Sequence, residues 1–240
     1  MIELRPFSSL GQANHGWLNA KHHFSFANYQ NPARMGWGAL RVWNDDEIAP
    51  GTGFARHGHK DMEIITFVTK GAITHKDHLG NEGHTLAGDV QVMSAGKGIL
   101  HEEYNYEAEQ TSLFQIWIEP ATSGGKPFWG AAKFPKSERS GQLVALASGQ
   151  DGAPENALPI RQDATILGAN LGPGQSVTHN LDKSRYAYLV TLGAKVIVGG
   201  VEVEPRSAAA IHEETEIEII APQSNELTAE IILADVPPHN

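Results

Sequence analysis

The sequence predicts an all-β protein, built as a sandwich or barrel of many short strands. Along the 240 residues, short apolar runs with a two-residue period dominate, and the helical period is scarce. The 25 glycines, together with prolines, asparagines and aspartates, fall between these runs, where turns are expected. Many short strands at regular spacing are typical of sandwiches and barrels.

The first half supplies four strands in order. Apolar runs predict strands over residues 62–69, 72–75, 90–93 and 112–119. Turn-forming residues at positions 70–71 and 79–83 separate the first three. In the last strand, residues two apart share a face, which puts Leu113 and Gln115 on one side and Phe114 on the other.

The second half repeats this pattern of short strands. Strands are predicted over residues 186–191, 195–198, 201–204, 215–220 and 227–234. Gly199 and Gly200 join the second of these to the third, and paired glycines accept the positive φ that a tight hairpin turn requires.

The two halves also resemble one another. Gly193 lies 122 residues after Gly71, and the same offset aligns residues 68–69 with 190–191 and His57 with His179. Two copies of one β-unit would explain these matches. The pattern breaks near residues 134–150, where we expect the join.

The composition excludes several classes of function. A net charge of −10 and a pI near 5.6 argue against direct binding to nucleic acid or to an anionic membrane. The absence of cysteine excludes disulfides, thiolate metal sites and a cysteine nucleophile. Neither a signal peptide nor a run of about 18 apolar residues is visible, so a cytoplasmic protein is expected.

Two short pairs of polar residues predict a metal site. His57 and His59 lie two residues apart, as do His101 and Glu103 about forty residues later. Side chains at positions i and i+2 of a strand share a face, so each pair can reach one ion. Three neutral imidazoles and one carboxylate suit iron, copper, nickel, manganese, cobalt or zinc.

A simpler interpretation stands beside this one. Single His-x-His pairs are more often surface or hydrogen-bonded histidines than ligands, and Glu103 lies in an acidic run that includes Glu102. The second pair on a predicted strand favours the metal site. Strand parity then makes Glu102 the solvated residue and Glu103 the inward one.

These residues resemble the motifs of a known family. The pattern His57-x-His59-x3-Glu63-x7-Gly71 resembles the first cupin motif, and residues 88–105 resemble the second. Ser94 stands where cupins usually have proline, and four residues rather than two separate Gly96 from His101. These departures match the pirin branch, as do residues 14–17, 23–29 and 40–46. The chain is most similar to bacterial pirin-like quercetin 2,3-dioxygenases.

The resemblance implies a bicupin, in which two jelly-roll barrels pack face to face. The expected division is an N-terminal metal-binding barrel over residues 1–134, a linker region over 135–150 and a C-terminal barrel without metal over 151–240. At the 122-residue offset, His59 meets Leu181 and Glu63 meets Arg185, so the paired imidazoles are lost from the second barrel.

The resemblance also assigns the site. The pirin ligands fall on His57, His59, His101 and Glu103. Glu63 occupies the place of the glutamate ligand of other cupins, but in pirins that residue is not a ligand, and the simpler interpretation is a carboxylate that supports the ligands or the fold. One divalent transition metal per chain is implied, with iron as the first choice and copper, nickel, manganese, cobalt or zinc as alternatives.

The activity implied is a metal-dependent dioxygenase that uses O2 to open the heterocycle of a flavonol such as quercetin, with release of carbon monoxide. Glu103 is expected to act also as the proton acceptor for the flavonol 3-hydroxyl. The alternative is a metal-containing module that binds protein partners or senses redox state in transcriptional regulation. A structural metal with no open position is a third hypothesis. A bicupin buries internally the faces that single cupins bury by dimerising, so a monomer is expected.

The other histidines and the N-terminal aromatics receive structural assignments. At most one of the adjacent His22 and His23 can line a pocket, and His75 and His78 are expected to be solvated loop residues. His84, His179 and His212 are taken as structural. The aromatic side chains between Trp17 and Trp37 are expected in the core, with the alternative that some of them close over the pocket.

Overall fold

In the computed structural model, which describes residues 1–239, the chain is all β. Its first half contains twelve strands, which are β1 (Ile2–Arg5), β2 (Gly11–Asn14), β3 (Leu18–His22), β4 (Leu40–Ile48), β5 (Thr52–His59), β6 (Glu63–Lys70), β7 (Ala72–Asp77), β8 (Glu82–Leu86), β9 (Val90–Ser94), β10 (Ile99–Asn105), β11 (Thr111–Ile118) and β12 (Phe128–Ala132).

The second half contains ten strands, which are β13 (Val144–Ser148), β14 (Leu158–Pro159), β15 (Thr165–Leu171), β16 (Ser176–Asn180), β17 (Tyr186–Leu192), β18 (Val196–Val198), β19 (Val201–Val203), β20 (Ala208–His212), β21 (Glu216–Ile220) and β22 (Ala229–Val236). Three short 3-10 turns, at Phe7–Ser9, Pro32–Arg34 and Lys136–Arg139, are the only helical segments within residues 1–239. In that range no helix has the length and apolar character to cross a bilayer.

The strands form four sheets. The seven-stranded sheets have the orders β12-β9-β6-β11-β4-β3-β2 and β1-β20-β17-β22-β15-β13-β14, and the four-stranded sheets have the orders β5-β10-β7-β8 and β16-β21-β18-β19. The order of the first large sheet maps onto that of the second, with β9, β6, β11 and β4 matched by β20, β17, β22 and β15. The repeated order confirms the predicted duplication and the bicupin fold.

The two large sheets pack face to face. Trp43, Phe67 and Phe114 of the first sheet share one apolar cluster with Tyr188 and Ile232 of the second, and all five are buried. Each large sheet uses its other face to cover its own four-stranded sheet. The chain therefore forms four layers, with a small sheet on each outside.

The 122-residue offset holds at some positions and fails at others. Gly71 and Gly193 both have positive φ at equivalent strand ends. Val68, however, packs inside the first unit, whereas Val190 lies between the two large sheets. The match of residues 68–69 with 190–191 was therefore wrong, since equivalent residues of a duplicated strand face the same side.

The predicted hairpin is present. Val196 and Val203 are partners in the β18–β19 pair, and Gly199 and Gly200 have φ values of 51° and 85° at its turn. Two consecutive positive φ values identify the tight hairpin geometry for which paired glycines are suited.

The division into residues 1–134, 135–150 and 151–240 stays a prediction. Two strands of the second large sheet lie outside the range predicted for the C-terminal barrel. β1 belongs to the second large sheet, where Leu4 pairs with Ala209, although it opens the chain. β13 also belongs to that sheet and lies inside the stretch expected to be a linker. The first strand of the chain is thus contributed to the sheet of the second half.

Candidate metal centre

Two neighbouring strands of the first small sheet bring the predicted histidines together. β5 pairs with β10 so that His57 is directly opposite His101. The Nε2 atoms of these two residues are 3.1 Å apart. The His59 ring lies 4.8 Å from that of His57 and 5.0 Å from that of His101, centroid to centroid. Each of the three offers a ring nitrogen within 4.8 Å of the other two.

This geometry fits a shared cation. The Nδ1–H of His57 donates to the Ala55 carbonyl oxygen at 2.8 Å, which leaves its Nε2 with a free lone pair. Two nitrogens bound to one metal at about 2.1 Å lie roughly 3.0–3.4 Å apart for bond angles of about 90–109°. The distance of 3.1 Å between the two Nε2 atoms falls in this range.

The electrostatics favour a metal over a proton. Burial lowers the pKa of His59 to about 3, and the neighbouring His101 and His57 contribute to this lowering. Burial likewise lowers the pKa of His101 to about 3. Both rings are therefore neutral at pH 7, which is the form that binds metals.

Glu103 follows His101 on β10 after a bulge. It is 3 % exposed, and its Oε1 and Oε2 accept hydrogen bonds from Gln91 Nε2 at 2.7 Å and Gln115 Nε2 at 2.6 Å. Burial raises its pKa, against the lowering effect of His75 and the two amides. Its neighbour Glu102, which was expected to be solvated, is half-buried and so more exposed than Glu103. Glu103 groups with His101 and His75 within ligand distance, so its place beside His57 and His59 stays a prediction.

His75 was expected in a solvated loop, and this expectation was wrong. It lies on β7, is 1 % exposed, and its Nδ1 is 3.3 Å from Nδ1 of His101. Trp129 stacks on its other side, with ring planes 9° apart. Residues 72–75 were predicted to be a strand, in which His75 shares a face with the buried Ile73. That alternation was the available signal.

His57 and His59 line a cavity of about 520 Å³. This volume is in the usual range for small-molecule sites. Its walls combine aromatic and apolar side chains with a few polar ones, which include Leu18, His22, Phe26, Tyr29, Asn44, Asp46, Phe54, Glu103, Gln115 and Trp117.

Part of the N-terminal aromatic segment closes this cavity. Phe26 and Tyr29 line it, while Phe24 is buried between the large sheets, so the segment divides between wall and core. Of the adjacent histidines, His22 lines the cavity, and its Nδ1 lies 2.8 Å from the Oδ1 atom of an asparagine on β4. His23 points away from the cavity, and its Nδ1 lies 2.9 Å from the hydroxyl oxygen of Tyr188 on β17. This agrees with the prediction that only one of the two histidines could line a pocket.

Asp46 is a cavity residue that the sequence interpretation missed. It is 2 % exposed, and its Oδ1 has no hydrogen-bond partner within the described residues. Burial raises its pKa well above the usual value, and the carboxylates of Asp45 and Glu103 raise it further. β4 was not among the predicted strands, although Asn44, Asp46 and Ile48 share a strand face. An acceptor is thus available in the wall for a substrate hydroxyl.

Glu63 has the structural role expected of it. It is 1 % exposed and accepts hydrogen bonds from Ser94 Oγ and from the backbone N–H of Arg161, 3.1 Å away in the second half. Burial raises its pKa, against these hydrogen bonds. Glu63 therefore links the two halves.

In the second unit, apolar side chains occupy the positions that correspond to His59, His101 and Glu103 of the first. Leu181, Ile217 and Ile219 belong to a buried cluster that fills the space between the two sheets. His179 pairs with Ile217 across β16 and β21, and its Nε2 lies 2.8 Å from Asp235 Oδ2. His179 therefore has a structural contact, as predicted.

Comparison with known families covers both halves of the chain. Residues 3–118 match the family model described as Pirin. Residues 145–236 match the model described as the quercetinase C-terminal cupin domain.

Relatives match over nearly the whole length. A pirin-like protein of Caulobacter vibrioides is 58 % identical over 98 % of this chain and 99 % of its own, and a quercetin 2,3-dioxygenase of Escherichia coli is 39 % identical over 99 % and 100 %. A crystal structure of the bacterial pirin YhhW from Escherichia coli in complex with nickel(II) superposes with a TM-score of 0.89 at 38 % identity. That superposition covers 99 % of this chain and 100 % of the other.

Proposed function

Since the chain belongs to the pirin family, we propose that it is a metal-dependent dioxygenase that opens the heterocycle of flavonols such as quercetin with O2 and releases carbon monoxide. The observation that carries this proposal is the group of three histidines, two of which line a 520 Å³ cavity with aromatic walls. The name of the Escherichia coli relative, quercetin 2,3-dioxygenase, supports the substrate class.

The proposed ligands of a single transition metal are His57, His59, His101 and Glu103. The distance of 3.1 Å between two Nε2 atoms supports the histidines. The nickel(II) complex of YhhW supports a transition metal in this fold. Three imidazoles and one carboxylate accept iron, the first expectation, and also nickel, copper, manganese, cobalt or zinc.

When bound, the metal supplies a Lewis acid that lowers the pKa of a coordinated hydroxyl. In this proposal Glu103 takes the proton of the flavonol 3-hydroxyl, which is supported by its position in the cavity lining. Gln91 and Gln115 hold its two oxygens and fix its orientation. Phe26 and Trp117 contact each other edge to face at 5.4 Å in the cavity wall and offer apolar surface to a flat ring system.

The direct test is aerobic quercetin turnover with carbon monoxide as the readout. The protein would be reconstituted separately with iron, copper, nickel, manganese, cobalt and zinc. We expect metal-dependent carbon monoxide that is absent in His101→Ala and retained in His84→Ala, a matched control that removes an exposed histidine of β8. No product from folded, metal-loaded protein with any metal would contradict the proposal and favour the protein-interaction module.

A second variant tests the proton acceptor. Glu103→Gln keeps the size of the side chain and removes its basicity, so turnover should fall further than metal content. Full activity in this variant, with metal content measured in the same preparation, would exclude the role of Glu103 as base.

A further inference from the structure

Behind the proposed ligands, a chain of three buried side chains runs from β10 to the end of β7. His101 Nδ1 is 3.3 Å from His75 Nδ1, and His75 Nε2 is 3.3 Å from Asp77 Oδ2. His75 is 1 % exposed, and the carboxylate of Asp77 has no exposed surface. The three residues therefore form a hydrogen-bonded relay that is screened from water.

The direction of each hydrogen bond follows from Asp77. Its Oδ1 accepts from the backbone N–H of Leu79 at 2.9 Å and of Asn81 at 3.0 Å, and its Oδ2 accepts from Asn81 Nδ2 at 2.8 Å. An ionised carboxylate accepts only. The remaining bond, to His75 Nε2, is therefore donated by the His75 Nε2–H.

The tautomer of His101 follows from that of His75. A neutral imidazole has one N–H, so His75 Nδ1 carries a lone pair and accepts from the Nδ1–H of His101. His101 Nε2 is then left with its lone pair, directed at Nε2 of His57. A ligand histidine whose other nitrogen donates to a carboxylate is a common arrangement in metal sites, and here a second imidazole extends it.

Packing holds the intermediate ring in place. Trp129 stacks on His75 with ring centroids 4.8 Å apart. Gly83, the cross-strand partner of His75 on β8, makes room for Trp129, because a Cβ there would lie 2.0 Å from Trp129 Cη2. His75 therefore cannot rotate away from His101 without displacing the tryptophan.

We propose that His75 and Asp77 are positioning residues, which fix the Nε2 lone pair of His101 towards the metal centre. This inference rests on the proposed metal site. The second unit supports this inference. Val198 pairs with Ile219 there, as His75 pairs with Glu103 in the first unit, so Val198 stands at the position of His75. Where apolar residues replace the proposed ligands, an apolar residue also replaces His75.

Asp77→Asn tests the relay, because an asparagine can donate to His75 Nε2 and so reverse both hydrogen bonds. In metal-free protein, ¹⁵N NMR of the imidazoles should find His101 with its proton on Nδ1, and the variant should move it towards Nε2. Zinc(II) affinity, measured against a chromogenic chelator, should fall by about 10–100-fold. His23→Gln, which alters a buried histidine outside the site, is the control and should leave both readouts unchanged.

An unchanged His101 tautomer and unchanged zinc affinity in folded Asp77→Asn would overturn the relay. Should Asp77→Asn fail to fold, His75→Gln and His75→Leu provide the test. The glutamine side chain can still accept from His101, whereas the leucine side chain cannot, so zinc affinity should be higher in His75→Gln. Equal affinities in the two variants would overturn the proposal.

The wild-type protein separates this inference from the proposed function. Failure of the wild-type protein to bind zinc would contradict the proposed metal site. The tautomer of His101 in metal-free protein would still test the relay, because that measurement requires no metal.

Discussion

The two halves of this chain have the same strand order and opposite interiors. In the first, His59, His101, Glu103 and His75 lie at or behind the wall of a cavity. At the corresponding positions of the second stand buried apolar residues, namely Leu181, Ile217, Ile219 and Val198. Each buried apolar side chain of this size contributes about 1.5–3 kcal/mol to folding. The second half thus keeps the stability that the first gives up for a polar site.

Contacts between the two large sheets and one ion pair hold the halves together. The large sheets bury a shared aromatic and aliphatic cluster, and Arg206 of the second half forms a bidentate ion pair with Asp45 of the first, at 2.6 and 3.0 Å. A dry, well-packed second half therefore packs against a first half whose interior contains a cavity of about 520 Å³.

The largest effect on metal binding is expected when His101 is replaced by isoleucine, the residue at the equivalent position of the second half. His101→Ile should lower metal affinity by at least about 100-fold and abolish turnover, since a ligand is lost and a matching apolar residue takes its place. Equilibrium dialysis followed by metal analysis checks this, with the exposed His84→Ile as control. Retention of one metal per chain in His101→Ile would remove His101 from the ligand set.

The reverse substitution should affect folding instead. Ile217→His places an imidazole in a dry cluster where Ile217 is fully buried, and we expect a loss of about 2–5 kcal/mol in the free energy of unfolding. Chemical denaturation measures the loss. A second bound metal with unchanged stability would mean that the halves are interchangeable, and the contrast between their interiors would then have no functional meaning.

The buried histidines should make the stability of metal-free protein depend on pH. The folded-state pKa values of His59 and His101 are about 3, below the unfolded value of about 6.5, so the unfolded state binds more protons. The contribution of these two histidines to the free energy of unfolding is therefore fully present above pH 6.5 and is lost as the pH falls towards 3. In His101→Ile, the fall in melting temperature over this window should be smaller, and a pH profile identical to that of the wild type would contradict the assignment.

The smallest effect is expected in the cavity wall. Asp46→Ala removes an acceptor whose Oδ1 has no partner among the described residues, and one hydrogen bond to substrate is worth about 1 kcal/mol. KM for quercetin should therefore rise about 5-fold, with a smaller change in kcat. Steady-state kinetics check this, and an unchanged KM would show that the substrate does not reach Asp46.

The sequence was sufficient for features that depend on local spacing. The i, i+2 pairs His57–His59 and His101–Glu103, and the Gly199–Gly200 hairpin, are encoded by strand period and turn chemistry alone. The all-β architecture follows from the same signals. That the two pairs would share one site was predicted from their matching spacing and from the family resemblance, and the pairing of β5 with β10 brings His57 opposite His101.

Other features depend on contacts between distant segments. Trp129, more than fifty residues later, stacks on the buried ring of His75. Asp46 lines the cavity because β3 and β11 flank its strand. The pairing of β1 within the second large sheet has no local signal, since its partner β20 lies about two hundred residues away. The match of Val68 with Val190 failed for the same reason, because strand register is set by pairing.

Anomalous diffraction from crystals of the nickel(II)-loaded protein would locate the metal and identify its ligands in one experiment. We expect one nickel per chain, about 2.1 Å from a ring nitrogen of each of His57, His59 and His101 and from a carboxylate oxygen of Glu103. Nickel in the second half, or nickel bound by His75, His101 and Glu103 without His57 and His59, would contradict the proposed metal centre.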